Sequence, residues 1–520
     1  MTSTIETATH AHSDYRRMVL EGDTHDEILL ENVHPAKWTN PTPSGKYNLV
    51  VIGAGTAGLV SAVGSAGLGA KVAIIERALM GGDCLNVGCV PSKGVIRAGR
   101  AAYDVSEAAR FGVRVHGDVE VDFGAAMERM RRLRAKISPN DSVSRLQGLG
   151  IDVYIGQGTF TGANTIEVDG RTLTFDRAVI ASGARATEPD IPGLADAGFL
   201  TNETVFRLTE CPPRMAVLGA GPIGCELAQS FMRLGSRITL IARTAQIMPK
   251  EDRDAADIVQ KQFEREGMEI LTSSEVTSAR RDGSETVLTV DAPGGPRELR
   301  FDAVLIGVGR TPNLEGLGLE VAGVAYERQG VKVDDTLRTT NPRVYAAGDV
   351  CSKYKFTHAA DAMARIVITN AFFRPFRTGR VSSLVIPWST YTDPEIARVG
   401  MSREEATAAG LDAGVVTHEL AENDRAILDG DEEGFARVVY DRKSGRIVGG
   451  TIVARHAGEM IGELTLAIAT RQKVSVLSST IHPYPTQSEA VKRLGDIYMR
   501  GSLTPTVKKV FDRLFRFRRR

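Results

Sequence analysis

The segment YNLVVIGAGTAGLVSAVGSAGLGAKVAIIER, residues 47–77, contains the pattern that decides the fold. An apolar run leads into a glycine turn, a stretch of small residues and a second apolar run that ends at Glu76. This order predicts a strand, a helix and a second strand parallel to the first. Gly53, Gly55 and Gly58 allow a tight turn and let a pyrophosphate approach the backbone at the helix N-terminus. The segment therefore predicts a dinucleotide-binding βαβ unit.

The same unit recurs in RMAVLGAGPIGCELAQSFMRLGSRITLIAR, residues 214–243. Its turn again contains three spaced glycines, Gly219, Gly221 and Gly224. Two such units predict two doubly wound, Rossmann-type nucleotide-binding domains. Farther along, residues 436–454 are typical of a β-hairpin, and a helical pattern follows them. The expected fold is therefore α/β, with two doubly wound domains and an α+β C-terminal domain.

The ends of the second strands distinguish the two units. Glu76 lies 23 positions after the first glycine of its unit, where a carboxylate can accept hydrogen bonds from an unphosphorylated ribose. The same count in the second unit ends at Ala242, and the next residue is Arg243. An arginine attracts the 2′-phosphate that a carboxylate would repel. The second unit is therefore expected to prefer NADPH over NADH.

Composition excludes several classes of protein. The chain has 520 residues, of which 42% are hydrophobic and 25% charged, as in an ordinary globular protein. Its 64 basic and 64 acidic residues balance, which argues against nucleic acid as a partner. Its five cysteines are too few for a secreted disulfide framework, and no signal-peptide or membrane-spanning pattern is present. A cytoplasmic location is expected.

A pair of cysteines occurs in GGDCLNVGCVPSK, residues 81–93. Cys84 and Cys89 are about one helical turn apart, close enough for a disulfide. A helix beginning here would lower a thiol pKa through the positive charge at its N-terminus, and Lys93 would follow Cys89 on the same face. No other cysteine or histidine lies nearby to complete a metal site, so no bound metal is expected.

Together these motifs resemble the flavin-dependent pyridine nucleotide–disulfide oxidoreductases over residues 46 to 500. The resemblance implies that the first unit binds FAD and the second NAD(P)H. It implies that Cys89 is the thiolate in contact with the flavin, that Cys84 exchanges with substrate, and that Glu226 pairs with Lys93. The implied FAD contacts are Gly53, Gly55, Gly58, Glu76, Lys93, Gly183 and Asp349. The implied NADPH contacts are Gly219, Gly221, Gly224 and Arg243.

The C-terminal motif departs from the family pattern. Disulfide reductases of the family have His-Pro-Thr-x-x-Glu, whose histidine is the acid–base and comes from the partner subunit of a homodimer. This chain has Ile481-His-Pro-Tyr-Pro-Thr-Gln-Ser-Glu489. Alignment on Glu489 puts Tyr484 at the catalytic position, as in mercuric reductases. His482 would then match the first, non-catalytic histidine of dihydrolipoamide dehydrogenases, but it stays an alternative base if the loop bends.

The resemblance leaves the acceptor open. Tyr484 and Arg243 favour a mercuric reductase-like enzyme, but no cysteine follows Cys351 and no N-terminal metal-binding CxxC is present, which argues against efficient mercury handling. The main hypothesis is an NADPH-dependent reductase of a disulfide, a metal ion or a quinone-like acceptor. The alternatives are a dihydrolipoyl dehydrogenase and a non-catalytic flavoprotein that senses redox state.

The resemblance also orders the domains. They are an arm and linker at 1–45, the first part of an FAD-binding domain at 46–186, an NAD(P)H-binding domain at 187–310, the second part of the FAD-binding domain at 311–383, a dimerisation domain at 384–505 and a basic tail at 506–520. In the tail, apolar residues recur at helical spacing opposite a basic face. This pattern predicts an amphipathic helix that contacts a membrane surface weakly, docks on the protein body or stays solvated.

Overall fold

A computed structural model of the protein describes residues 15–501 and 503–519. Residues 1–14 of the expected arm, and residues 502 and 520, lie outside the described residues. The chain divides into two compact units. The first unit comprises Met1–Ala245 and Met268–Leu384, and the second comprises Gln246–Gly267 and Val385–Arg520.

The first unit contains the predicted βαβ pattern twice. Its larger sheet has the strand order Asp152–Ile155, Val72–Glu76, Tyr47–Ile52, Arg171–Ile180, Thr165–Val168, Thr159–Gly162, and Val344–Ala346 also pairs with Arg171–Ile180. The first four strands and Val344–Ala346 are parallel, and the remaining two are antiparallel. The helix Thr56–Gly67 connects the first two strands in sequence. Val72–Glu76 is buried throughout, which explains its unbroken apolar sequence.

The second nucleotide-binding pattern forms its own parallel sheet. Its strand order is Glu269–Leu271, Arg237–Ile241, Arg214–Leu218, Ala303–Ile306. The helix Pro222–Arg233 follows Arg214–Leu218. Three smaller antiparallel sheets complete the unit: Glu275–Asp282 with Glu285–Ala292 and Gly295–Phe301, Ala184–Ala186 with Arg310–Pro312, and Tyr326–Glu327 with Gly330–Val331. The prediction of two doubly wound units is confirmed.

The remaining helices of the first unit include several short 3₁₀ turns. The α-helices are Thr24–Val33, Gly82–Asn86, Cys89–Ser106, Phe123–Ile137, Val143–Gly148, Leu194–Ala197 and Thr357–Phe372. The 3₁₀ turns are Tyr15–Met18, Ala108–Phe111, Ser138–Asp141, Val205–Arg207 and Val381–Ser383.

The second unit is an α+β structure built on one antiparallel sheet. The strand order is Pro387–Thr390, Glu395–Gly400, Ile447–Ala454, Phe435–Asp441, Ala413–Glu419. The neighbouring strands Phe435–Asp441 and Ile447–Ala454 form the predicted hairpin. The helices are Arg253–Arg265, Arg403–Ala408, Asp424–Asp429, Ala457–Ala469, Ser475–Ser479, Glu489–Gly501 and Pro505–Arg518, with a 3₁₀ turn at Leu420–Glu422.

The helix Arg253–Arg265 comes from the stretch expected to bind NAD(P)H, but its contacts are with the second unit. Arg437 on the central hairpin forms an ion pair with Asp254. Arg398 donates to the carbonyl oxygen of Lys250 over 2.9 Å. These polar contacts attach Gln246–Gly267 to the antiparallel sheet.

The arm packs into the first unit through the helix Thr24–Val33. Leu29 and Val33 are completely buried in the core beside the larger sheet. Asp26 of the same helix forms a buried ion pair with Arg134, and their closest atoms are 2.5 Å apart. The arm is therefore an integral part of the unit over these residues.

Candidate functional site

The first glycine turn is built so closely that only glycine fits at two of its positions. Gly53 has a φ of +98°, and a Cβ added there would lie 2.3 Å from the carbonyl oxygen of Ala181. A Cβ on Gly58 would lie 1.8 Å from the carbonyl oxygen of Gly53. The helix Thr56–Gly67 therefore sits directly against the strand that precedes it, with its N-terminus facing the turn.

Glu76 holds the backbone beside this turn. One carboxylate oxygen accepts the Ala54 N–H over 2.7 Å, and the other accepts the Ala78 N–H over 2.8 Å. Gly55 is the N-cap of the helix and provides no side chain for the first-turn N–H groups. A pyrophosphate suits those N–H groups, and a ribose hydroxyl suits the remaining lone pairs of Glu76. The residues present thus fit the nucleotide part of FAD.

The second glycine turn repeats this geometry. Gly219 has a φ of +102°, and a Cβ there would lie 2.5 Å from the carbonyl oxygen of Gly307. A Cβ on Gly224 would lie 2.0 Å from the carbonyl oxygen of Gly219. Gly221, by contrast, has open space where its side chain would be. The turn therefore offers a backbone surface to which a second dinucleotide can come close.

Arg243 lies just beyond the strand Arg237–Ile241, next to this second turn. Its side chain is 75% exposed, and its Nη1 lies 3.5 Å from Oε1 of Glu275. Ala242, at the position of the family acid, is buried and carries no charge. Because the Arg243 side chain is exposed and its ion pair with Glu275 is long, it can reorient towards a phosphate with little loss of free energy.

Cys84 and Cys89 lie at the junction of two helices. Cys84 belongs to the short helix Gly82–Asn86, and Cys89 begins the helix Cys89–Ser106. Gly88 is the N-cap of the second helix, so the two cysteines do not lie on one continuous helix. A Cβ on Gly88 would lie 2.7 Å from the carbonyl oxygen of Asp83, so this close junction depends on a glycine.

The two thiols have opposite pKa shifts. A hydrogen bond from Cys84 is the main cause that lowers the pKa of Cys89, to about 6, and Thr357 and the charge of Lys93 lower it further. Surrounding protein atoms oppose this shift, although Cys89 keeps accessible surface. The hydrogen bond to Cys89, together with burial, raises the pKa of Cys84 well above its usual range. At neutral pH the reduced pair therefore holds its negative charge on Cys89 and its proton on Cys84.

Lys93 and Glu226 meet as the resemblance implies. Nζ of Lys93 lies 2.8 Å from Oε2 of Glu226, which is almost completely buried. Lys93 follows Cys89 by one turn of the same helix, and Glu226 belongs to Pro222–Arg233. This ion pair links the helix that begins at Cys89 to the second nucleotide-binding pattern.

Two further residues of this site were not found from the sequence. Oγ1 of Thr357, the first residue of Thr357–Phe372, lies 3.2 Å from Sγ of Cys89. Nε of Arg310 lies 3.5 Å from Asp349, and the same guanidinium donates to Asp83, the neighbour of Cys84. Nothing in the sequence near Thr357 indicates its contact with Cys89, 268 positions away. Nothing in the sequence near Arg310 indicates its contact with Asp83.

Arg310 contacts Asp349 and also donates to the carbonyl oxygen of Ala184, the residue after Gly183. Burial raises the pKa of Asp349, and the charge of Arg310 opposes that rise. Gly183 has a φ of +69°, and its carbonyl oxygen accepts the Asn313 N–H over 3.0 Å. The structure thus joins the Gly183 turn, Arg310 and Asp349 into one polar group.

The arm supports the backbone around Cys84. Arg134, held by Asp26, donates to the carbonyl oxygen of Asn86 over 2.6 Å. The carbonyl oxygen of Val33 accepts the Met80 N–H over 3.1 Å. The arm is therefore bonded to both ends of the segment that contains Cys84.

The C-terminal motif residues belong to the second unit and have separate partners. The Tyr484 hydroxyl donates to Asp424 over 2.9 Å, and this bond raises the pKa of Tyr484. Nε2 of His482 lies 2.8 Å from Oε2 of Glu463.

Glu489 pairs with Arg493 over 2.9 Å. The structure therefore does not bond Glu489 to either candidate acid–base. Tyr484 is 68% exposed, whereas the side chain of His482 is almost completely covered.

Comparison with known proteins gives consistent matches over most of the chain. The family profile described as pyridine nucleotide-disulphide oxidoreductase matches residues 47–364, and the dimerisation domain of that family matches residues 386–494. A mercuric reductase of Streptomyces lividans is 34% identical over 452 residues, 86% of this chain and 95% of that protein. A dihydrolipoyl dehydrogenase of Mycobacterium tuberculosis is 34% identical over 455 residues, 86% of this chain and 97% of that protein.

Solved structures agree with the sequence matches. The HOCl-induced flavoprotein disulfide reductase RclA from Escherichia coli is similar with a TM-score of 0.77 and 29% identity, over 86% of this chain and 99% of that one.

Proposed function

The chain belongs to the pyridine nucleotide–disulphide oxidoreductase family, and from that premise we propose that it is a reductase that uses NADPH, FAD and the Cys84–Cys89 pair. The family implies FAD and a pyridine nucleotide as cofactors. Its dimerisation domain, matched over residues 386–494, supports a homodimer. The choice of NADPH rests on Arg243 at the strand end, and a cytoplasmic location rests on the sequence.

The observation that supports the proposal best is the difference in pKa between Cys84 and Cys89. FAD, held at the Gly53–Gly58 turn and by Glu76, would supply two-electron transfer between NADPH and the Cys84–Cys89 disulfide. When the S–S bond breaks, Cys89 remains a thiolate and Cys84 takes the proton. The low pKa of Cys89 and the raised pKa of Cys84 favour this division of charge. Lys93 stabilises the negative charge, and Glu226 holds Lys93 in place.

The acceptor is proposed to be a disulfide, a metal ion or a quinone-like molecule. Tyr484, at the position of the family histidine, has a raised pKa, so its hydroxyl stays protonated at neutral pH and cannot accept a proton as a general base. That property favours acceptors that need no general base. The relatives named mercuric reductase support a metal acceptor.

A dihydrolipoyl dehydrogenase is the second candidate. The relative of that name in M. tuberculosis matches 86% of this chain and 97% of its own length. In this activity Cys84–Cys89 would take electrons from a dithiol and return them to the nicotinamide. The Cys84–Cys89 disulfide would then accept electrons from the dithiol substrate. A base beside Cys84 would be needed to take a proton from a substrate thiol. His482, with its carboxylate partner Glu463, is the candidate base.

Anaerobic titration of the purified protein with NADPH tests the proposal. We expect a long-wavelength absorbance band from a thiolate next to the flavin. The band should be lost in Cys89→Ser and kept in Cys84→Ser, because only Cys89 is the thiolate. Absence of the band in the parent protein would favour the non-catalytic redox sensor. Turnover with glutathione disulfide, lipoamide, Hg(II) and quinones would then identify the acceptor class.

A further inference from the structure

The helix Pro505–Arg518, called here the tail helix, has an apolar face that is open to solvent. The face is formed by Val507, Val510, Phe511, Leu514, Phe515 and Phe517. At 100° per residue these positions cover an arc of about 160°. None of the helix is buried, and the side chain of Phe517 is 78% exposed. Such a concentration of exposed aromatic residues marks an interaction surface.

The other side of the tail helix is strongly basic, and so is its C-terminal end. The charged residues of 505–519 are Lys508, Lys509, Asp512, Arg513, Arg516, Arg518 and Arg519. Six positive charges and one negative charge give the segment a net charge of +5. Because the whole chain has a formal net charge of zero, the other residues sum to −5. The positive charge is therefore concentrated beside the apolar face.

We infer that the tail helix docks on an anionic lipid bilayer, with its axis in the plane of the membrane and its phenylalanines in the acyl boundary. A wide apolar arc flanked by lysine and arginine is the pattern that binds such surfaces. The basic residues would meet the lipid headgroups while the apolar face leaves water. The inference concerns residues beyond the family's dimerisation match and holds for any acceptor.

Other occupants fit the tail helix less well. A second copy of the helix would bring another charge of +5 to the same place, and the like charges would repel. A nucleic acid would neutralise the basic residues but leave the phenylalanines in water. An anionic bilayer satisfies both faces.

Vesicle flotation of the full-length, flavin-loaded protein tests the inference. The probes are phosphatidylcholine vesicles with and without about 30% phosphatidylserine. We expect flotation with the anionic vesicles only, and weaker binding at high salt because the charges are screened. No flotation with either vesicle, or equal flotation with both, would overturn the inference.

Two variants separate the apolar and the basic contributions. Phe511→Ser combined with Leu514→Ser keeps every charge, and it should weaken binding at least tenfold because two apolar side chains no longer leave water. Lys508→Gln combined with Lys509→Gln should also weaken binding and reduce its dependence on salt. Unchanged binding in either double variant would refute the inference.

Leu466→Ser is the matched control. Leu466 is another exposed apolar residue of the second unit, on the helix Ala457–Ala469, and it lies outside the tail helix. Its replacement should leave flotation unchanged, and the flavin absorbance of every variant should match that of the parent. If the tail variants instead change the mass in sedimentation, the face is a contact between copies and the membrane inference is wrong.

Discussion

Replacing Thr357 with valine should raise the pKa of the reactive thiolate. Oγ1 of Thr357 lies 3.2 Å from Sγ of Cys89, and this contact lowers the pKa of Cys89, which is about 6. Valine keeps the shape of threonine and removes the hydroxyl. A hydrogen bond to a charged group contributes roughly 1.5–3 kcal/mol. Because Cys89 keeps accessible surface, the lower end of that range applies.

The expected shift follows from this energy. A change of about 1.4 kcal/mol corresponds to one pKa unit, so the pKa of Cys89 should rise to about 7. At pH 7 the thiolate fraction of Cys89 would then fall from about nine tenths to about one half. The difference in thiolate fraction between the parent and Thr357→Val is largest between their two Cys89 pKa values. It disappears well above pH 8, where Cys89 is a thiolate in both proteins.

The assay is the rate of alkylation of the reduced protein by iodoacetamide as a function of pH, with the modified cysteine identified by mass spectrometry. Thr357→Ser keeps the hydroxyl and should follow the parent curve. If Thr357→Val has the parent's pH profile, the hydroxyl does not stabilise the thiolate. If Thr357→Ser shifts as much as Thr357→Val, the effect comes from packing and not from the hydrogen bond.

Three other predictions concern the cofactors and the acid–base. Gly58→Ala should leave the purified protein without its yellow FAD absorbance, because the added Cβ would meet backbone 1.8 Å away, whereas Gly67→Ala on the same helix meets open space and should keep it. Arg243→Glu should reverse or remove a preference for NADPH in steady-state kinetics, and equal kinetics of the parent with both nucleotides would contradict the argument. Tyr484→His should raise turnover with lipoamide or another disulfide, since acid–base help contributes roughly 10²–10⁴-fold, while His482→Ala does little. The opposite pattern would show that His482 is the base.

Local sequence patterns predicted the parts of the site that lie within one short segment. The glycine turns and the closeness of Cys84, Cys89 and Lys93 follow from their short spacing in sequence, although the break between the two helices does not. Glu226 came from the resemblance to a family. Thr357 could not be placed by spacing, since it is 268 positions from the thiol that it contacts.

The features that the sequence did not predict depend on long-range contacts and on a close backbone junction. Arg310 reaches Asp83 across 227 positions, and no local pattern encodes such a pair. The break at Gly88 depends on a backbone contact with Asp83, so the sequence alone favoured one continuous turn. The buried pair of Asp26 and Arg134 is likewise 108 positions apart. Each of these features belongs to tertiary packing.

The strand Val344–Ala346 has a consequence for the biosynthesis of the protein. It covers the edge of Arg171–Ile180 at residues 178–180, and Asp349 lies three residues after its end. At roughly 5–20 residues per second, a ribosome needs about 10–30 seconds to add the chain between these two strands. During that interval the apolar edge of the sheet is open to wrong partners. A nascent chain can bring Asp349 beside Arg310 only after about two thirds of its residues have been made.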